Sequence, residues 1–279
     1  MAEIKLVAAD MDGTLLDKER KITQYTQNTI RKAVKAGVEF IPATGRAVNA
    51  LPPELKAMKE VRYGIFSNGA TVYDLWENKV IYRHHFEIKR VLELIQFLRQ
   101  FDLMISVSMN GQSYGERKAM ENIDYYELDE NTREIIVGSR KIIENLEEHL
   151  KDRNDTVEKM TLVFRSMEER KNVWMALSQI EDVQFSSSLP KNIEISPKGC
   201  NKGDGLLHLL EALGVKKEET MACGDADNDK EMLEISGKAV VMENGLESMK
   251  AIADYITVSN QEDGVAKAME KFISLDETP

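Results

Sequence analysis

The stretch that most constrains this chain is Ile4-Lys5-Leu6-Val7-Ala8-Ala9-Asp10-Met11-Asp12-Gly13-Thr14, an apolar run that delivers two carboxylates into a glycine turn. The run is too short for a stable helix and shows little polar alternation, which predicts a strand covered on both faces of a parallel sheet. Asp10 then stands at the carboxyl end of that strand, where open α/β sheets place their ligands. Gly13 permits the tight turn, so Asp10 and Asp12, two residues apart, can face the same crevice. Two carboxylates about 4 Å apart repel by up to about 4 kcal/mol at an effective dielectric of about 20. A divalent cation or a shared proton would offset that repulsion. Alone, such a pair reads as a helix cap or a turn built on aspartate side chains.

The pair is not alone. Glu219 to Cys223 forms a second apolar run, and it opens into Gly224-Asp225-Ala226-Asp227-Asn228-Asp229. Neither acidic loop fits a calcium-binding EF-hand. Counting from Asp225, the sixth and twelfth positions are Lys230 and Ser236 instead of Gly and Glu; counting from Asp10, the sixth is Leu15. Gly199-Cys200-Asn201-Lys202-Gly203 lacks the order of a P-loop, and no strand-linked G-x-G-x-x-G is present. Lys202 instead opens a helix between two strands of one sheet, from which a lysine can reach the acidic crevice.

Between these stretches the pattern alternates strand and helix. Thr23 is placed to cap a helix through about Ala36, with Gly37 as its stop, and Val38 to Ala43 forms the second strand, ending in Thr44-Gly45-Arg46. Tyr63 to Ser67 is a third strand ending in Asn68-Gly69-Ala70, and Thr71 to Tyr73 with Val80 to Arg83 reads as a hairpin. From about His84 the character changes to an α+β module of antiparallel sheet with helices on one face, including a helix over Ser139 to Leu150. The alternation of strand and helix is expected to resume with a strand over Asn192 to Ser196 and to run to the end. The division is therefore a core over 1–83, an inserted domain over 84–190, and a second core segment over 191–279.

In this order the pieces resemble the haloacid dehalogenase superfamily, and within it the Cof-type phosphatases with a C2-type cap. Asp10-Met11-Asp12-Gly13-Thr14-Leu15 matches motif I, Thr44-Gly45-Arg46 motif II, Lys202 motif III, and Gly224-Asp225 with Asn228-Asp229 motif IV. The resemblance implies an α/β fold, a Rossmann-like parallel sheet core with an inserted α+β cap. It further implies an Mg2+-dependent phosphatase that hydrolyses small phosphorylated metabolites, such as sugar phosphates, through an aspartyl-phosphate. On that pattern Asp10 is the nucleophile and Asp12 the acid and base. Asp10, Asp12 through its carbonyl, Asp225 and Asp229 serve the metal. Met11, Asp12, Thr44, Gly45, Arg46, Lys202 and Asn228 hold the phosphate. P-type ATPases share the nucleophile but have threonine two residues later, where this chain has Asp12, and they require membrane helices. The alternatives are a phosphomutase of the phosphomannomutase type and a non-catalytic phosphometabolite-binding regulator.

Charge and composition narrow the partners. With 37 Lys+Arg against 48 Asp+Glu, the net charge of -11 opposes nucleic acid and anionic membrane. No apolar run approaches the about 18 residues of a membrane span, and no signal-like segment opens the chain, so a cytoplasmic protein is expected. Cys200 and Cys223 lack metal or redox spacing and read as free thiols, each beside a motif. His84, His85, His149 and His208 form no ligand pattern.

Overall fold

A computed structural model describes residues 3–275 of the chain. Five parallel strands form the central sheet, in the spatial order Tyr255–Thr257, Lys238–Met242, Thr220–Gly224, Leu6–Ala9, Glu39–Pro42. The two runs that end in carboxylates are thus adjacent, paired in register from Leu6 with Thr220 to Ala9 with Cys223. Leu6–Ala9 and Thr220–Gly224 are buried throughout, as their unbroken apolar character requires. Because both strands run the same way, their two acidic loops leave the sheet at the same end.

Helix Gln24–Lys35 begins where expected, with the Thr23 hydroxyl accepting the Thr26 amide, and Gly37 follows it at φ 88°. Tyr63–Phe66 departs from the central sheet. It pairs antiparallel with Thr71–Asp74, which pairs with Lys79–Arg83 in the expected hairpin, and an Ala43–Ile65 bridge links this sheet to the second core strand. Helix Lys202–Leu213 contributes Leu206, Leu209 and Leu210 to the same apolar cluster as Leu6, Ala8, Ile41, Ile65 and Ala222.

The chain divides into two compact units. The first holds the residues up to Gly45, Leu51–Arg83 and those from Asn201; the second holds Arg46–Ala50 and His84–Cys200. The second unit has a six-stranded sheet in the order Val183–Ser186, Asn192–Pro197, Lys159–Phe164, Leu103–Met109, Gln112–Glu116, Arg140–Ile143. All pairs are antiparallel except the last. Helices Ile88–Leu98 and Met167–Leu177 pack against one face through Val91, Leu94, Leu98, Val173 and Leu177. A smaller cluster of Met120, Ile123, Tyr126 and Ile136 covers Met104 and Val163.

Three sequence expectations change here. The strand over Asn192 to Ser196 belongs to the second unit's sheet, between Lys159–Phe164 and Val183–Ser186, so the division falls after Cys200 and not at 190/191. Its alternation of Asn192, Glu194 and Ser196 with Ile193 and Ile195 is that of a sheet with one apolar face, unlike the unbroken runs of the core strands. The helix expected over Ser139 to Leu150 is instead strand Arg140–Ile143 followed by the short helix Leu146–Leu150, because a neighbouring strand offers a ladder to Ile142 and Ile143. Arg46–Ala50 joins the second unit, where the Asn49 amide donates to the Gly111 carbonyl at 3.0 Å. No helix among the described residues is long and apolar enough to cross a membrane.

Candidate active site

The first acidic loop is a compact turn. Asp10 extends the ladder by donating its amide to the Cys223 carbonyl at 3.0 Å, and the Met11 carbonyl accepts from the amides of Thr14, Leu15 and Leu16. Gly13 sits at φ 91°, where a side chain would be strained, and an added Cβ would lie 2.5 Å from Asp225 Oδ2. The glycine therefore serves both the turn and the approach of the second loop's carboxylate. Thr14 fixes that carboxylate, donating its hydroxyl to Asp225 Oδ1 at 2.7 Å.

Asp229 closes the second loop on itself. Its Oδ2 accepts the amides of Asp225 at 2.9 Å and Ala226 at 3.1 Å, which turns its Oδ1 toward Lys202. Lys202 is the first residue of its helix, held by Asn201, whose side chain accepts the Asp204 amide at 2.8 Å. Its Nζ donates to Asp10 Oδ1 at 2.5 Å and to Asp229 Oδ1 at 2.6 Å, and the side chain is wholly buried. A solvated lysine is therefore excluded; this ammonium is structural to the acidic cluster.

One cation does not neutralise this cluster. Asp10, Asp225 and Asp229 each offer a carboxylate oxygen within 4.8 Å of the others, so full ionisation leaves three negative charges against one positive. Burial pushes the Asp10 carboxyl well above the usual carboxylate range; Lys202 pulls it back, while Asp229 and Asp225 push it further up. Burial and the Asp229 charge raise Asp225 to about 7, against the Thr14 hydrogen bond and Lys202. Burial alone would lower the Lys202 ammonium, but Asp10 and Asp229 hold it above the ordinary lysine value. Among the described residues, the second oxygens of Asp10 and Asp225 accept no protein hydrogen bond. An all-oxygen set with excess negative charge and two unclaimed carboxylate oxygens fits a hard divalent cation such as magnesium.

The remaining expected residues are spread more widely. Asp12 is exposed on the same turn. Met11 is fully buried, and its contribution here is the carbonyl that closes the turn. Thr44 is buried beyond the second strand, its amide on the Ile65 carbonyl at 2.8 Å and its carbonyl accepting the Asn68 amide at 3.0 Å. Asn228 donates its side-chain amide to Asn68 Oδ1 at 3.2 Å. Gly45 is the last residue of its segment in the first unit, whereas Arg46 opens the second unit, where Nη1 donates to the Ala50 carbonyl at 3.4 Å. Thr14 and Asn68 are supporting residues that the sequence reading left without a role. Thr14 was visible as a hydroxyl in the acidic turn; nothing in the sequence pairs Asn68 with Asn228. Cys223 is buried, and burial with the Asp229 charge raises its thiol to about 12, so it stays protonated.

The family model of haloacid dehalogenase-like hydrolases matches residues 7–269. This chain belongs to that family. A Streptococcus pyogenes serotype M6 protein carrying a phosphatase designation is 33% identical, covering 97% of this chain and 98% of its own length. The Bacillus subtilis 5-amino-6-(5-phospho-D-ribitylamino)uracil phosphatase YcsE is 29% identical over 97% of this chain and 96% of its own. Among solved structures, the sugar phosphatase BT4131 of HAD subclass IIB superposes with a TM-score of 0.79 at 26% identity, covering 96% of this chain and 98% of its own. The α/β fold with a parallel core sheet is thereby that of the haloacid dehalogenase-like hydrolases, and the chain is an enzyme, a phosphatase of that type.

Proposed function

We propose that this haloacid dehalogenase-like phosphatase hydrolyses small phosphorylated metabolites, sugar phosphates foremost, with magnesium as cofactor and through an aspartyl-phosphate on Asp10. The observation that carries the reading is the wholly buried Lys202 ammonium between Asp10 and Asp229, with the Asp225 carboxylate beside them. Sugar phosphates are favoured by the likeness to BT4131, and a phosphoribityl compound by the likeness to YcsE. Asp10, Asp225, Asp229 and the Asp12 carbonyl would hold the cation, which when bound neutralises the carboxylates and the phosphate oxygens.

The unclaimed oxygen of Asp10 attacks phosphorus as the ester P–O bond breaks, and Asp12 gives its proton to the departing alkoxide. Asp12, exposed on the turn, is open to water; it next takes a proton from the water that attacks the aspartyl-phosphate, releasing phosphate and the Asp10 carboxylate. Lys202 pulls the Asp10 carboxyl back toward its ionised form and reduces its repulsion toward the anionic substrate. Thr44, Asn228, Lys202 and the backbone amides of Met11, Asp12 and Gly45 are assigned to the phosphate oxygens, and Arg46, which belongs to the other unit, is left out of the set. No nucleic acid or membrane is required, and the cytoplasm is the proposed location.

Inorganic phosphate release across a panel of sugar phosphates, with magnesium or with EDTA, tests the reading. Activity that EDTA abolishes, magnesium restores and Asp10→Asn removes is expected. A chain inactive on every phosphomonoester overturns it, as does an Asp10→Asn variant as active as the parent. An isomeric sugar phosphate in place of free phosphate would identify a mutase.

A further inference from the structure

Within the first unit, the loop that follows strand Lys238–Met242 is bonded to both acidic loops. Its Leu246 amide donates to the Asp225 carbonyl at 2.8 Å, which anchors the main chain of the second loop. Its Asn244 side chain goes to the first loop, where Nδ2 donates to the Gly13 carbonyl at 2.8 Å. Asn244 is exposed and fills no core, so its hydrogen bonds are what it contributes. The side-chain amide cannot be turned around, because Oδ1 accepts the Asn260 main-chain N–H at 2.9 Å and only an oxygen can do so. Asn260 in turn donates Nδ2 to the Leu16 carbonyl at 2.7 Å. Three residues on, Asp263 accepts the hydroxyls of Thr23 and Thr26 at the start of the first helix. The segment that orients Asn244 is thus itself fastened to the N-terminal part of the chain.

The peptide that Asn244 holds is the one with least else to hold it. Gly13 lies at φ 91° and has no Cβ, so sterics restrict the peptide plane that follows it very little. At the far side of that plane the Thr14 N–H meets the Met11 carbonyl at a long 3.4 Å, while the Leu15 and Leu16 amides share the same carbonyl at 3.1 and 2.9 Å. The 2.8 Å bond from Asn244 is therefore the firmer constraint on the Gly13–Thr14 peptide. The orientation of that peptide sets the direction of the Thr14 side chain, whose hydroxyl donates to Asp225 Oδ1 at 2.7 Å.

We propose that Asn244 is a positioning residue for the metal site: it locks the Gly13–Thr14 peptide and, through the Thr14 hydroxyl, aims the Asp225 carboxylate. It acts through Thr14 and adds no ligand of its own. Without the Asn244 bond the peptide is free to turn about Gly13, Thr14 meets Asp225 for only part of the time, and each arriving cation has to reorder the carboxylate. The proposal rests on the reading of Asp225 as a magnesium ligand.

Calorimetric titration of the metal-free chain with magnesium alone, over a double-mutant cycle, tests it without turnover. Asn244→Ala and Thr14→Val each remove one link, and each should weaken magnesium binding about five- to tenfold, the worth of one hydrogen bond. Together they should weaken it by no more than about twofold beyond the weaker-binding single variant, because the second break finds the relay already open. Thr14→Ser keeps the hydroxyl, and in that background Asn244→Ala should again cost about five- to tenfold. An equal Asn244→Ala loss in the Thr14→Val and Thr14→Ser backgrounds would show a purely structural role and overturn the proposal. So would an Asn244→Ala variant within about twofold of a parent that binds magnesium. A parent that binds no magnesium overturns the metal reading and this proposal with it. Should Thr14→Val fail to fold, Thr14→Ala takes its place in the cycle with the same outcomes.

Discussion

Magnesium affinity should depend steeply on pH, with a slope that Asp225 sets. An ordinary aspartate at 3.8 is ionised throughout the neutral range, whereas Asp225 at about 7 is not. A cation needs the carboxylate, so binding must expel the proton. For a single group at about 7, the ionised fraction rises from about 3% at pH 5.5 to about 76% at pH 7.5, a ratio of about 25. The apparent Kd should tighten by that factor between the two conditions, and more if Asp10, raised in the same direction, also sheds a proton. Titration calorimetry in two buffers of different ionisation enthalpy reads both quantities, with about one proton released per magnesium at the lower pH. Asp225→Asn should bind magnesium weakly and lose most of the slope. A parent Kd that changes less than twofold would refute the reasoning, since it would mean that the buried carboxylates are already neutralised by Lys202.

Three other outcomes follow from the same geometry. The metal-free chain should lose stability as pH rises, because a carboxyl whose folded pKa is raised stabilises the protonated state; about 2–3 kcal/mol should go between pH 5 and 8. The check is urea unfolding in EDTA for the parent minus Asp225→Asn, and a flat difference would contradict it. Lys202→Met strands two buried carboxylates, so it should cost about 3–5 kcal/mol of stability and lower kcat at least about 100-fold; a variant within twofold of the parent in both would contradict the site. Gly69→Ala places a Cβ 1.9 Å from the Asn201 carbonyl oxygen at φ 95°, beside the start of the Lys202 helix, and should destabilise by at least about 2 kcal/mol in chemical denaturation. An unchanged midpoint would show that this turn relaxes freely.

Much of the site was legible because its signals are local. An unbroken apolar run ending in a glycine and carboxylates announces both a covered strand and a polar crevice, and Leu6–Ala9 and Thr220–Gly224 each carry the whole of that message. Lys202 was legible by its place at a helix start, although the strand before that helix belongs to the other sheet and not, as expected, to the sheet of the strand after it. Sheet membership was harder, since the partner of a strand lies elsewhere in the chain. Asn192–Pro197 was assigned to the core by its position in the order of elements, although its two-residue alternation already described a sheet with one apolar face. Arg140–Ile143 read as helix because its strand state depends on the ladder that Gln112–Glu116 provides. Arg46 follows Thr44 and Gly45 directly, yet the chain passes to the second unit between Gly45 and Arg46, a division that no composition change marks.

The central claim is that Asp10 carries the phosphoryl group. Mixing the enzyme with a good substrate, quenching in acid within the first turnover and mapping the peptides by mass spectrometry tests it directly. A gain of one phosphoryl group on the peptide containing Asp10, accumulating further in Asp12→Asn, is the predicted result. Rapid phosphate release with no phosphorylated peptide in either protein, or a phosphoryl group on any other residue, would contradict it.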